Sequence, residues 1–197
     1  MKDLAAPDGL RFVVHLPLDI DVCSTDGTVR SMARRTIERL VDLTAPLAPS
    51  QFLLHAEGPA GVHDRGWRTR LRDALVSLPQ PHARFAVETL AGDLRDAADL
   101  LAELGFSVCI DVGHLLAAGR DVAAFFQAFR GSISMVHVHG VRGGRDHLPL
   151  SEMPPEVRAG LRRTLAAEGY RGSLCVEVFS AEGFLGSLPA LVEIMPC

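Results

Sequence analysis

Val108-Cys109-Ile110-Asp111-Val112-Gly113-His114 is the stretch on which the fold turns. An apolar run, β-branched at Val108 and Ile110, stops at a carboxylate, and a histidine follows three residues later. The run is too short for a helix and reads as a buried strand. Asp111 sits where that strand leaves the core, Gly113 lets the backbone turn, and His114 follows the turn. An aspartate and a histidine this close offer oxygen and nitrogen to one small volume, as a divalent metal requires. Taken alone, the pair reads equally well as a turn-capping aspartate beside a half-buried histidine.

Working outward, the same design recurs. Strands are expected at 11–17, delivering His15; at 51–55, ending in His55; at 84–88, ending in Glu88; at 133–138, delivering His137; and at 173–178, delivering Glu177. Helical spacing of apolar residues marks 29–47, with Asp26 or Thr28 as cap, then 67–78, 93–104, 121–129, 156–168 and 184–195, the last with Pro189 as a point of interruption. Residues 139–150 read as a loop carrying His139, Arg142, Arg145, Asp146 and His147. Strand, loop and helix alternate six times, which gives a parallel α/β sheet with helices outside it.

The 197 residues suffice for one domain with a full core, taken as 1–197. Net charge is −4, so no global basic field argues for nucleic acid, and nucleic acid is not the expected partner. Lys2 is the only lysine, which removes lysine Schiff-base chemistry. Of the four cysteines, Cys109 and Cys175 fall inside apolar strands, and none forms a C-x-x-C pair. With no membrane-length apolar segment and no signal-peptide pattern, a reduced cytoplasmic protein is expected.

In a parallel α/β barrel all C-terminal strand ends open on one face, where active sites sit. His15, His55, Glu88, Asp111, His137 and Glu177 would meet there, with His114, His139, Asp146 and His147 on loops at the same end. Any one of these alone is an ordinary core or loop residue; their recurrence at six strand ends points to metal. Mixed imidazole and carboxylate donors suit zinc, manganese or iron better than calcium. The donors outnumber the four or so that one zinc takes, so two or three divalent ions, zinc or manganese, are expected.

The order H…H…E…D-x-G-H…H-x-H…D-H…E resembles the xylose isomerase-like, endonuclease IV superfamily of TIM barrels. The resemblance implies a (β/α)8 TIM barrel of which six βα units are present, the first two lying upstream in the native protein. It implies metal ligation by His15, His55, Glu88, Asp111, His114, His137, His147 and Glu177. The superfamily's carboxylate two residues before the last loop histidine falls here on Arg145, which binds no metal; Asp146, one residue later, is its expected replacement. Within the superfamily, His-Leu-Pro-Leu-Asp-Ile (15–20), Leu-His-Ala-Glu-Gly (54–58) and His-Val-His-Gly-Val…Asp-His-Leu-Pro-Leu (137–150) resemble the cobamide-remodelling phosphodiesterase family. That resemblance implies hydrolysis of the nucleotide-loop phosphodiester of vitamin B12-type corrinoids. Glu88 or Glu177 would take the proton, His139 would act as general acid or substrate contact, and Arg142 and Arg145 would fork onto phosphate oxygens. Three alternatives stay open: a one-metal sugar isomerase or epimerase using Glu88, Asp111, His137 and Glu177, a DNA repair hydrolase at abasic sites, and a non-catalytic binding protein.

Overall fold

The computed structural model describes residues 9–57, 63–79 and 81–195. Residues 1–8, 58–62, 80 and 196–197, Cys197 among them, lie outside the described residues. Contacts divide the chain into two compact units, Met1–Glu88 with Gly92–Ser107, and Thr89–Ala91 with Val108–Cys197.

In the first unit, strands β1 (Val13–His15), β2 (Gln51–His55) and β3 (Phe85–Glu88) alternate with helices α1 (Gly27–Thr44), α2 (Trp67–Val76) and α3 (Ala98–Leu104). All pairings are parallel, and the register sets His55 beside Glu88 at the strand ends. Of the two expected caps for α1, Asp26 serves: its carboxylate accepts the Thr28 N–H at 2.7 Å. Helix α2 buries Trp67, Leu71 and Leu75, one stripe at four-residue spacing. The Trp67 indole donates to the Ala56 carbonyl at 2.9 Å, tying this helix to the end of β2.

The second unit opens with β4 (Ser107–Asp111), whose last four residues belong to it, and α4 (Val112–Ala117). It continues through α5 (Val122–Ala128), β5 (Ile133–Val138), the strands β6 (Gly140–Arg142) and β7 (Arg145–Leu148), α6 (Pro155–Ala167), β8 (Ser173–Val176) and α7 (Ala181–Ile194). Strands β4, β5 and β8 run parallel, and Asp111 lies in register beside His137. Each unit thus carries three strand–helix repeats.

The structure corrects several local expectations. No turn separates Asp111 from His114: α4 begins at Val112, and Asp111 is its N-cap, accepting the His114 N–H at 2.7 Å. Gly113 has no left-handed backbone; it is glycine because a Cβ there would fall inside the His139 ring. The expected loop at 139–150 contains an antiparallel hairpin, β6–β7, turning on Gly143 and Gly144 at φ 58° and 76°. Two positive φ values suit a tight hairpin, and only glycine adopts them without strain. Helix α7 runs through Pro189 unbroken. Cys175, expected inside the core, is exposed on β8, while Cys23 and Cys109 are buried. Among the described residues no helix is long and apolar enough to cross a membrane.

Candidate functional site

The strand ends of the first unit gather His15, His55 and Glu88. One donor atom from each lies within 4.8 Å of the other two. His55 Nε2 approaches Glu88 Oε2 at 2.8 Å and His15 Nε2 approaches the same oxygen at 3.3 Å. His15 Nδ1 sits 2.7 Å from the Leu16 carbonyl, which can only accept, so Nδ1 carries a proton and Nε2 faces Glu88. Two imidazole nitrogens converging on one oxygen of a fully buried carboxylate make a donor set of the kind a divalent cation takes.

The second unit gathers its donors around Asp111. His137 Nδ1 lies 2.9 Å from Glu177 Oε2 and 3.8 Å from Asp111 Oδ2. His114 Nδ1 lies 3.5 Å from the same Asp111 oxygen. His114, His139 and His147 form a second set with donor atoms within 4.8 Å of one another. His147 Nδ1 faces the Glu177 carbonyl at 3.3 Å, which directs its Nε2 lone pair to His114 Nε2, 3.4 Å away. Asp111 Oδ2 and His114 Nδ1 are buried and make no hydrogen bond. A buried unsatisfied group costs about 1–3 kcal/mol, so two of them beside a histidine cluster fit a bound cation. Both donor sets therefore suit the divalent ions that the sequence implies.

His139 is fully buried. Burial alone would lower its pKa, but the Asp111 carboxylate outweighs this and the net shift is upward. A buried threonine, Thr89, accepts the Asp111 N–H at 2.8 Å and pins the end of β4.

The hairpin explains the one-residue offset at Arg145-Asp146-His147. Gly140 pairs with Leu148 and Arg142 with Arg145, so β7 carries one more residue than β6 between those pairs. Such a bulge turns adjacent side chains toward one side. Accordingly His147 Nε2 and Asp146 Oδ2 both approach His114 Nε2, at 3.4 and 4.0 Å. His147 sits at φ 48°, a conformation costly for a residue with a Cβ. Of the two arginines, Arg142 is engaged by Glu152 at 2.7 Å, and Arg145 is exposed at the hairpin turn. Beside the cluster, Leu90, Ala91, His114, Ala117, Ala118 and Asp146 line a cleft of about 330 Å³.

Sequence reading passed over a further group in the first unit. His63 stacks on Trp67 with ring centroids 3.5 Å apart, and its two nitrogens face Glu57 at 3.8 Å and Asp96 at 3.5 Å. Glu57, two residues past His55, is buried and accepts the Gly92 N–H at 2.7 Å. A buried carboxylate just beyond a strand end was the available signal.

The family described as xylose isomerase-like TIM barrel matches residues 1–194. The probable endonuclease 4 of Mycobacterium leprae (strain Br4923) is 26% identical over 165 residues, covering 73% of this chain and 64% of that protein. The chain thus spans less than two thirds of that relative's length. Among solved structures, a D-tagatose 3-epimerase-like protein gives a TM-score of 0.72 at 19% identity, over 95% of this chain and 78% of that one. Endonuclease IV from Thermus thermophilus gives 0.71 at 20% identity, over 94% and 77%. At these identities the structural likeness is one of fold, that of a partial (β/α)8 barrel.

Proposed function

The chain belongs to the xylose isomerase-like TIM-barrel family, and on that premise we propose that it is a metal-dependent phosphodiesterase acting on the nucleotide-loop phosphodiester of a cobamide. One observation carries the reading. The candidate donors are more than one ion takes: His15, His55 and Glu88 in one unit, and Asp111, His114, His137, His147 and Glu177 in the other. One zinc or manganese ion takes about four donors from a protein, so a one-metal isomerase would leave much of this set without a task. The substrate class rests on the three short motifs at 15–20, 54–58 and 137–150, and it makes the partner a small corrinoid rather than nucleic acid.

When bound, divalent zinc or manganese would supply Lewis-acid polarisation of a phosphoryl oxygen and acidify a water. The protein's own groups do the rest. Glu88, held by two imidazoles, and Glu177, hydrogen-bonded to His137, are the carboxylates placed to ligate or to accept the water proton. Arg145, exposed at the hairpin turn, is free to meet a phosphate oxygen, whereas Arg142 must first leave Glu152.

Hydrolysis at an abasic site in DNA is the second reading, favoured by the likeness to a protein named probable endonuclease 4. A panel of cobalamin, a ketose and an abasic oligonucleotide, each with zinc- or manganese-loaded protein, decides among the readings. Release of the lower-ligand nucleoside from cobalamin is expected. Turnover of the ketose or the oligonucleotide alone would overturn the proposal, as would none at all.

A further inference from the structure

We propose that His139 is a positioning residue that fixes two of its neighbours, Asp111 through its Nε2–H and His147 through its Nδ1. The inference rests on the metal-dependent reading above, and it moves His139 away from contact with substrate.

The His147 backbone N–H donates to His139 Nδ1 at 3.0 Å. Two groups compete for Nδ1: the His147 N–H, which can only donate, and the Gly140 carbonyl at 3.3 Å, which can only accept; the shorter N–H contact assigns Nδ1 the lone pair and Nε2 the ring proton. That nitrogen lies 3.2 Å from Asp111 Oδ1. Its alignment falls short of a hydrogen bond, which makes the contact one of charge and dipole in a buried setting. Asp111 Oδ1 already accepts the His114 N–H at 2.7 Å. One carboxylate oxygen is thus committed to the protein, and the other, Oδ2, is left without a hydrogen bond, 3.5 Å from His114 and 3.8 Å from His137. Groups behind a ligand that fix its orientation in this way are a recurring feature of metal sites.

The second task concerns the backbone. His147 is one of only two described non-glycine residues at positive φ. It stands in the β7 bulge that lets Asp146 and His147 share a side. Its amide is held by His139 Nδ1, so the side chain from the β5 end maintains the strained turn that aims a candidate ligand. Burial makes the arrangement rigid: His139 is fully covered, stacks on the His147 ring at 4.3 Å, and packs where Gly113 has no side chain.

Nitrogen-15 NMR of the histidine rings in the full chain tests this, before and after zinc addition. The expected result is a protonated Nε2 and an unprotonated Nδ1 at His139 in both states. A proton on Nδ1, or direct zinc coordination at Nε2, would overturn the proposal. Variants give an independent readout by titration with cobalt(II), followed in the visible spectrum, with circular dichroism as the folding control. His139→Leu should weaken one class of sites about 10–100-fold and leave the His15/His55/Glu88 class unchanged. His139→Gln, which restores an acceptor and a donor, should recover most of that loss. Wild-type affinity in folded His139→Leu, or no recovery in folded His139→Gln, would overturn it. Wild-type protein that binds no cobalt or zinc would instead defeat the functional proposal.

Discussion

Gly113→Ala is the smallest change that reaches the candidate site. The residue lies in α4 with an ordinary helical backbone, so alanine is locally welcome and stabilises a helix by about 0.5–1 kcal/mol. Against this, the new Cβ would fall inside the His139 ring, which must withdraw by about 1 Å or more to regain contact at 3.4 Å. The ring has nowhere easy to go. It is fully buried, holds the His147 N–H at 3.0 Å and stacks on the His147 ring. Overpacking of this kind costs about 1–3 kcal/mol, and a hydrogen bond lost in the interior costs about 1–3 kcal/mol more. Offsetting the helix gain and allowing partial relaxation leaves a net loss of about 1–2 kcal/mol. For a chain of this size that lowers Tm by roughly 2–8 °C. Metal affinity at the Asp111/His114/His147 cluster should fall about 10–100-fold, because metal–ligand distances tolerate only about 0.2 Å. Thermal unfolding and zinc titration measure the two effects. A variant as stable as wild type with unchanged zinc affinity would refute the reasoning.

Asp111→Ala removes a helix cap and a candidate ligand together; it should cost about 1–2 kcal/mol and abolish both metal binding at that cluster and turnover, and unchanged metal content by elemental analysis would contradict the assignment. Burial, aided by Asp21, pushes the Cys23 thiol up to about 12, so in native protein at pH 8 alkylation should reach Cys175 well before Cys23, as peptide mass mapping would show. Asp64, Asp99, Glu103 and Glu168 are held below the usual carboxylate range, first of all by hydrogen bonds from Arg70, Arg68, Arg72 and Arg130. Their stabilisation is present above the ordinary carboxylate pKa of about 4 and is lost as pH falls through the lowered folded values. Stability should therefore decline below about pH 4, and Arg130→Ala should flatten that decline in acid denaturation followed by circular dichroism.

Much of the fold was legible because its signals are local. Short apolar runs that stop at His55, Glu88 or Asp111 are strands whose ends carry chemistry, and parallel register then aligns those ends, as His55 with Glu88 and Asp111 with His137. The roles of Gly113 and His139 were not legible, since they depend on contact between α4 and the end of β5, which no spacing in the sequence encodes. The hairpin had a readable mark in Gly143-Gly144, but the dense chemistry around it made the segment look like a loop. Its bulge could not be foreseen, and it is the bulge that brings Asp146 and His147 toward His114 despite the shifted pattern at Arg145. The exposure of Cys175 shows the same limit: an alternating strand buries only the face that something covers, and β8 has the pattern exposed, intermediate, exposed, intermediate.

The most direct test of the central claim is the number of metal ions per chain, read by elemental analysis of protein loaded with zinc and dialysed to equilibrium. Eight candidate donors predict two or three equivalents, with at least one lost in His55→Ala and at least one in Asp111→Ala. A single equivalent in wild type, or none, would contradict the account.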